Sequence, residues 1–259
     1  MKSGMKWLQT SWPPLLVVFL FILGWQISVS LFGIEKWLLP SPADILREAL
    51  SELPRLGMHT WATSQIALAG FLLSGTAGLV IACILHLIPG FKRGFYPLLI
   101  LTQNIPIIAL APLLMIWFGY GLLPKMIVIL LACFFPVVIA TLDGFAQTDP
   151  SMYNYMKMIG ANRRQLFFKL ELPNALPYFF AGLKITAAYS VMGAVIAEWL
   201  GTDKGIGYYM LFAKSSFRTD RIFVALMVIF ALSLVMFAAV LLLEKWLIKG
   251  RGARVRNQA

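Results

Sequence analysis

Asp, Glu, Lys and Arg are absent from five long stretches of this chain, residues 7–34, 56–91, 94–124, 126–142 and 222–243. A helix needs roughly 20 apolar residues to cross the hydrocarbon core of a bilayer, so each stretch is long enough or nearly so. Inside lipid no water serves the backbone N–H and C=O groups, and such runs must be helical. A further apolar segment between Leu176 and Trp199 is interrupted by Lys184 alone among charged residues before Glu198. The long Lys184 side chain can snorkel toward an interface about two turns away, near Pro177. The pattern predicts six spans, at about 13–32, 60–88, 95–118, 125–146, 176–199 and 222–247. The expected fold class is an all-α membrane protein, with residues 1–259 forming one transmembrane domain.

Two connections between the apolar runs read as more than loops. In residues 42–57, Ile45, Leu46, Ala49, Leu50 and Leu53 follow Pro42-Ala43-Asp44 at helical spacing, which predicts a short interfacial helix capped by Asp44. Residues 147–175 open on Asp149-Pro150, an N-cap with proline at the first helical position. A helix to about Ile159 is expected, then a break at Gly160 and a second helix to about Leu170. Pro173 and Pro177 then launch the fifth span.

Composition agrees with the span pattern. The chain is 60% hydrophobic and 13% charged, against about 25% charged for a soluble domain. The first apolar run is longer than a secretion-signal core and no small-x-small cleavage site follows it, so it reads as a retained span. The net charge of +11 fits basic loops facing the cytoplasm better than nucleic-acid binding. With a cytoplasmic amino terminus, that side holds Lys2, Lys6, Lys92, Arg93, Lys157, Arg163, Arg164, Lys169, Lys245 and the basic tail Lys249–Arg256. The opposite side mixes its bases with Glu35, Asp44, Glu48, Glu52, Asp203 and Asp220. The positive-inside rule then puts both termini in the cytoplasm, as an even number of spans requires.

Reacting groups are sparse. Cys83 and Cys133 lie inside apolar runs and read as small buried hydrophobes. His59 and His86 are far apart, with no carboxylate or cysteine cluster beside them in sequence, so no metal site is expected. There is no G-x-x-x-x-G-K-[ST] phosphate loop, and Gly201 to Gly207 reads as a turn leaving a span. Without a nucleophilic triad or a carboxylate pair the chain is not expected to be an enzyme or to bind a cofactor. Asp143 and Glu198, near the ends of spans four and five, read as solvated or locally partnered groups, with proton coupling as the other reading.

Small residues recur four apart at Gly70, Ser74, Gly78 and Ala82, and again at Gly182, Thr186, Ser190 and Ala194. Stripes of this kind let membrane helices approach closely. Thr186 and Ser190 suit either that packing or the lining of a pathway. Gln103 and Asn104 sit beside Pro106 and Pro112, where proline frees backbone carbonyls and favours a kink. Polar side chains deep in the membrane point to a pathway or to a hydrogen bond with a neighbouring helix.

On a helix from Asp149 to Ile159, Met152, Tyr155, Met156 and Ile159 share one face. An apolar face on a cytoplasmic helix suits a groove in a partner protein. Gly160 permits a sharp turn, and Arg163, Arg164 and Lys169 add directed donors. An amphipathic helix lying on anionic lipid is the other reading.

The run Gly160, Arg163-Arg164-Gln165-Leu166-Phe167 and Leu172-Pro173-Asn174-Ala175-Leu176-Pro177 resembles the cytoplasmic signature of permease subunits of binding-protein-dependent ABC importers. That signature opens with a Glu-Ala-Ala triplet; the matching positions here are Asn154, Tyr155 and Met156, while the glycine is kept. Leu39-Pro40-Ser41-Pro42, Ala109-Leu110-Ala111-Pro112, Ile116-Trp117-Phe118-Gly119 and Ala197-Glu198-Trp199-Leu200-Gly201 are similar to the subfamily for nitrate, alkanesulfonates, taurine and pyrimidine precursors of thiamine. Phe180-Ala181-Gly182-Leu183-Lys184-Ile185 looks most like the last of these branches. The resemblance implies a six-span type I importer permease with a cytoplasmic coupling-helix loop in a bacterial inner membrane. It also implies two ATP-binding cassette subunits that use the ATP and Mg, an extracytoplasmic substrate-binding protein, and a permease homodimer. Met152, Tyr155, Met156, Ile159, Gly160, Ala161, Arg163, Arg164, Lys169 and Pro173 would then be the ATPase-coupling residues. Gln103, Asn104, Thr186 and Ser190 are the pathway candidates. A self-contained secondary transporter would explain the spans but not the coupling segment.

Overall fold

The computed structural model describes residues 2–248, with side chains from Trp12 onward except those of Pro89 and Thr102. The basic tail Lys249–Arg256 lies outside the described residues, as do the side chains of Lys2 and Lys6. Among the described residues every regular element is helical. Five segments are long and apolar enough to cross a membrane: Trp12–Leu31, Leu53–Leu87, Leu122–Ala146, Arg163–Glu198 and Thr219–Leu247.

The third expected span is divided. Helix α4 covers Pro89–Gln103 and α5 covers Ile107–Phe118; they are preceded by α1 (Lys2–Leu31), α2 (Pro42–Ser51) and α3 (Leu53–Leu87) and followed by α6 (Leu122–Ala146). The break falls on Asn104-Ile105-Pro106, because Pro106 has no N–H to continue the helix and disfavours helical backbone at Ile105. Asn104 closes α4 locally, its Nδ2 donating to the Ile100 carbonyl at 3.0 Å.

Helix α6 is the centre of the bundle, packed between α3 and α9 (Leu172–Glu198). Both small-residue stripes face it. A Cβ on Gly70 would overlap Ile129, one on Gly78 would lie 2.8 Å from Val137, and one on Gly182 would lie 2.8 Å from the Pro136 carbonyl. Removing side chains at these positions lets the helix backbones close to contact distance, which is where dispersion is gained inside lipid.

The α2 helix is capped by Ser41 and not by Asp44. Ser41 Oγ accepts from Asp44 N at 3.2 Å and donates to Asp44 Oδ2 at 2.8 Å. Pro42 fills the first helical position, so the cap must come one residue earlier. The Lys36 ammonium, 2.7 Å from Asp44 Oδ1, holds that carboxyl below its ordinary range. Arg221 bridges Glu48 and Glu52 at 2.8 Å each, and Arg218 meets Glu48 at 2.8 Å. These pairs tie α2 to α11 (Thr219–Leu247) and account for the mixed charge expected of that face.

At the same end, α10 (Ile206–Ser215) has Gly205 at its N-cap and no cap side chain of its own. Three successive N–H groups are taken by other elements instead. Gly205 N donates to His59 Nδ1 at 3.1 Å, Ile206 N to Thr63 Oγ1 at 2.8 Å, and Gly207 N to Glu198 Oε2 at 2.8 Å. The Thr63 hydroxyl donates to Glu198 Oε1 at 2.8 Å. Glu198 is only 1% exposed and lies against the Gly205 backbone, where φ is +113° and a Cβ would overlap the carboxylate. Glu198 thus has local partners, the plainer of its two sequence readings.

Candidate functional site

Helix α7 (Pro150–Met158) stands at the opposite end of the bundle. Asp149 caps it, accepting from Ser151 N at 2.8 Å, and Pro150 takes the first position as the sequence predicts. Its end is a Schellman turn: Gly160 N donates to the Lys157 carbonyl at 3.1 Å and Ala161 N to the Met156 carbonyl at 3.0 Å. Gly160 holds φ +87°, a region costly for any residue with a Cβ.

Asn162 then starts α8 (Arg163–Leu166) with a capping box: Gln165 N donates to Asn162 Oδ1 at 2.8 Å, and Asn162 N donates to Gln165 Oε1 at 2.9 Å. A C-cap followed at once by an N-cap makes a sharply defined elbow. Beyond it the chain departs from the expected course. No second helix ends near Leu170; the chain continues through a π-turn, Phe167–Glu171, directly into α9. Leu172 N reaches back to the Phe167 carbonyl. The wider turn makes room for Pro173, which lacks an N–H and would crowd the carbonyl four residues earlier. Pro173 therefore sits inside a continuous helix instead of opening one.

Met152, Tyr155 and Ile159 are exposed, Met156 is half-buried, and Met158 adds a further exposed apolar group. Arg164 lies over the Phe168 ring at 5.9 Å, and Lys169 is exposed. Arg163 Nη1 is 2.8 Å from Glu171 Oε1 and 3.5 Å from the Tyr153 hydroxyl, so one of its donors is engaged within the chain while the side chain stays 49% exposed.

The pathway candidates separate in space. Gln103 lines a groove of about 710 Å³ with Ile105, Phe135, Pro136, Tyr189 and Met192, between the α4–α5 break, α6 and α9. Asn104 is exposed, with its Nδ2 on the Ile100 carbonyl of its own helix end. Thr186 and Ser190 are fully buried; Thr186 Oγ1 donates to the Cys133 carbonyl at 2.9 Å and Ser190 Oγ to the Ala187 carbonyl at 3.0 Å. The structure places these two hydroxyls with the helix packing and not on the groove. Tyr189 and Met192 escaped the sequence reading, although they stand three residues from Thr186 and two from Ser190, off the small-residue stripe.

Residues 74–249 match the family described as binding-protein-dependent transport system inner membrane component. The chain is 34% identical over 239 residues to the formylaminopyrimidine transport permease protein ThiX of Halalkalibacterium halodurans, covering 92% of this chain and 95% of that one. It is 28% identical over 242 residues to the putative aliphatic sulfonates transport permease protein SsuC of Bacillus subtilis, covering 92% and 87%. The crystal structure of an amino acid ABC transporter with histidines shares the fold at a TM-score of 0.64 and 13% identity, over 76% of this chain and 96% of that one.

Proposed function

From the membership of this chain in the family of binding-protein-dependent transport system inner membrane components, the permeases of ABC importers, we propose that it moves a neutral heterocyclic solute by alternating access. The α7–α8 elbow carries this reading. It offers an apolar helix face at the end of a rigid turn, which suits a groove on a cytoplasmic ATPase. Two such ATPase subunits on a permease homodimer, with a binding protein at the α10 end, complete the assembly. The α7 end then faces the cytoplasm, both termini with it, and nucleotide chemistry stays in the partner.

The cargo reading rests on the groove. Its lining, from Gln103 to Met192, holds no charged side chain. Tyr189 and Phe135 offer ring faces, and the Gln103 amide can donate and accept along the edge of a heterocycle. An aminopyrimidine of the thiamine-precursor type suits that chemistry. An alkanesulfonate, taurine or nitrate would have to shed water there without a facing cation, which is costly.

Reconstitution with the ATPase and binding protein of the same transport system tests the function. ATP-dependent uptake of a labelled aminopyrimidine, with no uptake by the lone chain along an ion gradient, is the expected result. Uptake by the lone chain would establish a secondary transporter, and preference for an alkanesulfonate would overturn the cargo reading. Gly160→Val probes the elbow. A Cβ there meets no other atom within 4 Å, so the cost is local backbone strain of about 1–2 kcal/mol, with the spans left folded. ATPase co-purification should weaken; wild-type co-purification together with wild-type transport would remove the elbow from the coupling role. Cysteines at positions 103 and 189 should react with a water-soluble thiol reagent in at least one nucleotide state, and inertness in all states would exclude the groove as pathway.

A further inference from the structure

Glu171 is 4% exposed, and no family motif quoted above assigns it a role. It belongs to the π-turn, whose altered phase aims the carboxylate into the bundle. One oxygen accepts from Arg163 Nη1 at 2.8 Å, and the other lies 3.1 Å from His86 Nε2, at the end of α3, a close contact without hydrogen-bond geometry. The same Arg163 nitrogen lies 3.5 Å from the Tyr153 hydroxyl on α7. The His86 ring stacks on Phe145, at the end of α6, with centroids 4.2 Å apart and planes 14° from parallel. A polar path therefore runs from α7 through Arg163 and Glu171 to the ends of α3 and α6. Apart from this path α7 packs only lightly on its own chain, mainly against α8.

Resting on the reading of α7 as the ATPase-docking helix, we propose that Glu171 is a positioning residue that transmits α7 movement to α3 and α6. An α7 helix joined to the bundle by covalent chain alone could swing on the Gly160 elbow without moving the spans. The Glu171 carboxylate makes that swing pull on Arg163, because a buried acceptor that loses a partner costs about 1–3 kcal/mol, and carries its other oxygen against His86. The packed ends of α3 and α6 then shift with it. Glu171, His86 and Phe145 lie off the exposed α7 face that meets the ATPase, so docking and coupling are separable at these positions.

The test uses the full reconstituted importer and reads transport per ATP hydrolysed. Glu171→Gln keeps the shape and removes the charge, and His86→Phe keeps the stack on Phe145 and removes Nε2. Each should retain the ATPase and its basal hydrolysis while transport per ATP falls several-fold, about fivefold to tenfold for a coupling loss of this kind. The two changes combined should do little more than either alone. An unchanged transport-to-hydrolysis ratio in both variants overturns the proposal. Loss of ATPase association in both also overturns it, since Glu171 would then shape the docking surface and not relay its motion. Failure of the wild-type chain to hold an ATPase would sink the docking reading itself, before any variant is compared.

Discussion

Glu198→Ala is expected to destabilise the chain by about 3 kcal/mol, while Glu198→Gln leaves it within about 1 kcal/mol of wild type. The alanine variant strips the acceptor from Gly207 N–H, and a buried donor left unpaired costs about 1–3 kcal/mol; the Thr63 hydroxyl, which also loses Glu198, falls back on the His59 carbonyl. The alanine also leaves a void against Gly205 and Gly207, glycines that exist to let the carboxylate approach. The glutamine variant can rebuild the whole network. Its oxygen accepts from Gly207 N–H, its amide donates to Thr63 Oγ1, and Thr63 turns its own proton to the His59 carbonyl, 3.2 Å away. Thr63 Oγ1 still accepts from Ile206 N–H. Thermal unfolding in detergent ranks the variants, and limited proteolysis around residues 199–217 locates the damage. Equal stability of the alanine variant and wild type would show that α10 needs no such cap, and a glutamine variant as damaged as alanine would show that charge, not hydrogen bonding, holds it.

The span pattern was legible because lipid leaves the backbone no choice: neutral runs near 20 residues must be helices. Local chemistry was legible for the same kind of reason. Asp149-Pro150 and Gly160 are start and stop signals whose partners lie within a few residues, and the cap and the turn form where those residues stand. Ser41 shows the limit of that logic. Asp44 is a good cap by type, but Pro42 fixes the first turn and hands the role to Ser41. Partners far apart in sequence were invisible. Nothing near Glu198 announces Thr63, 135 positions away, and the glycines of 205 and 207 read as a turn until the carboxylate is seen lying on them. The π-turn was hidden too, since Pro173 in sequence looks like the start of a helix and only the wider turn before it lets the helix pass through. Thr186 and Ser190 were ambiguous by nature, because a small hydroxyl on a close-packed stripe serves packing and lining alike until the opposite wall is known.

Lys184, taken in the sequence as a snorkelling charge, has a partner: its Nζ lies 2.6 Å from Glu244 Oε2, joining α9 to α11. The side chains are 25% and 22% exposed, beside the apolar cluster of Phe180, Leu183 and Val240. Removing one member of a fully buried pair costs about 3–5 kcal/mol; with this exposure Glu244→Leu is expected to cost about 2 kcal/mol. It leaves an ammonium twelve residues into α9 with no counter-charge. Lys184→Met should cost less, because Glu244 stands three residues from the end of α11 and its carboxylate reaches the interface more easily. The double variant Lys184→Met/Glu244→Leu should recover to within about 1 kcal/mol of wild type, since two apolar groups of similar size bury no charge in lipid. A double-mutant cycle on thermal stability in detergent measures the coupling. Additive losses in the double variant would mean the two groups act independently, and that Lys184 is held by the interface after all.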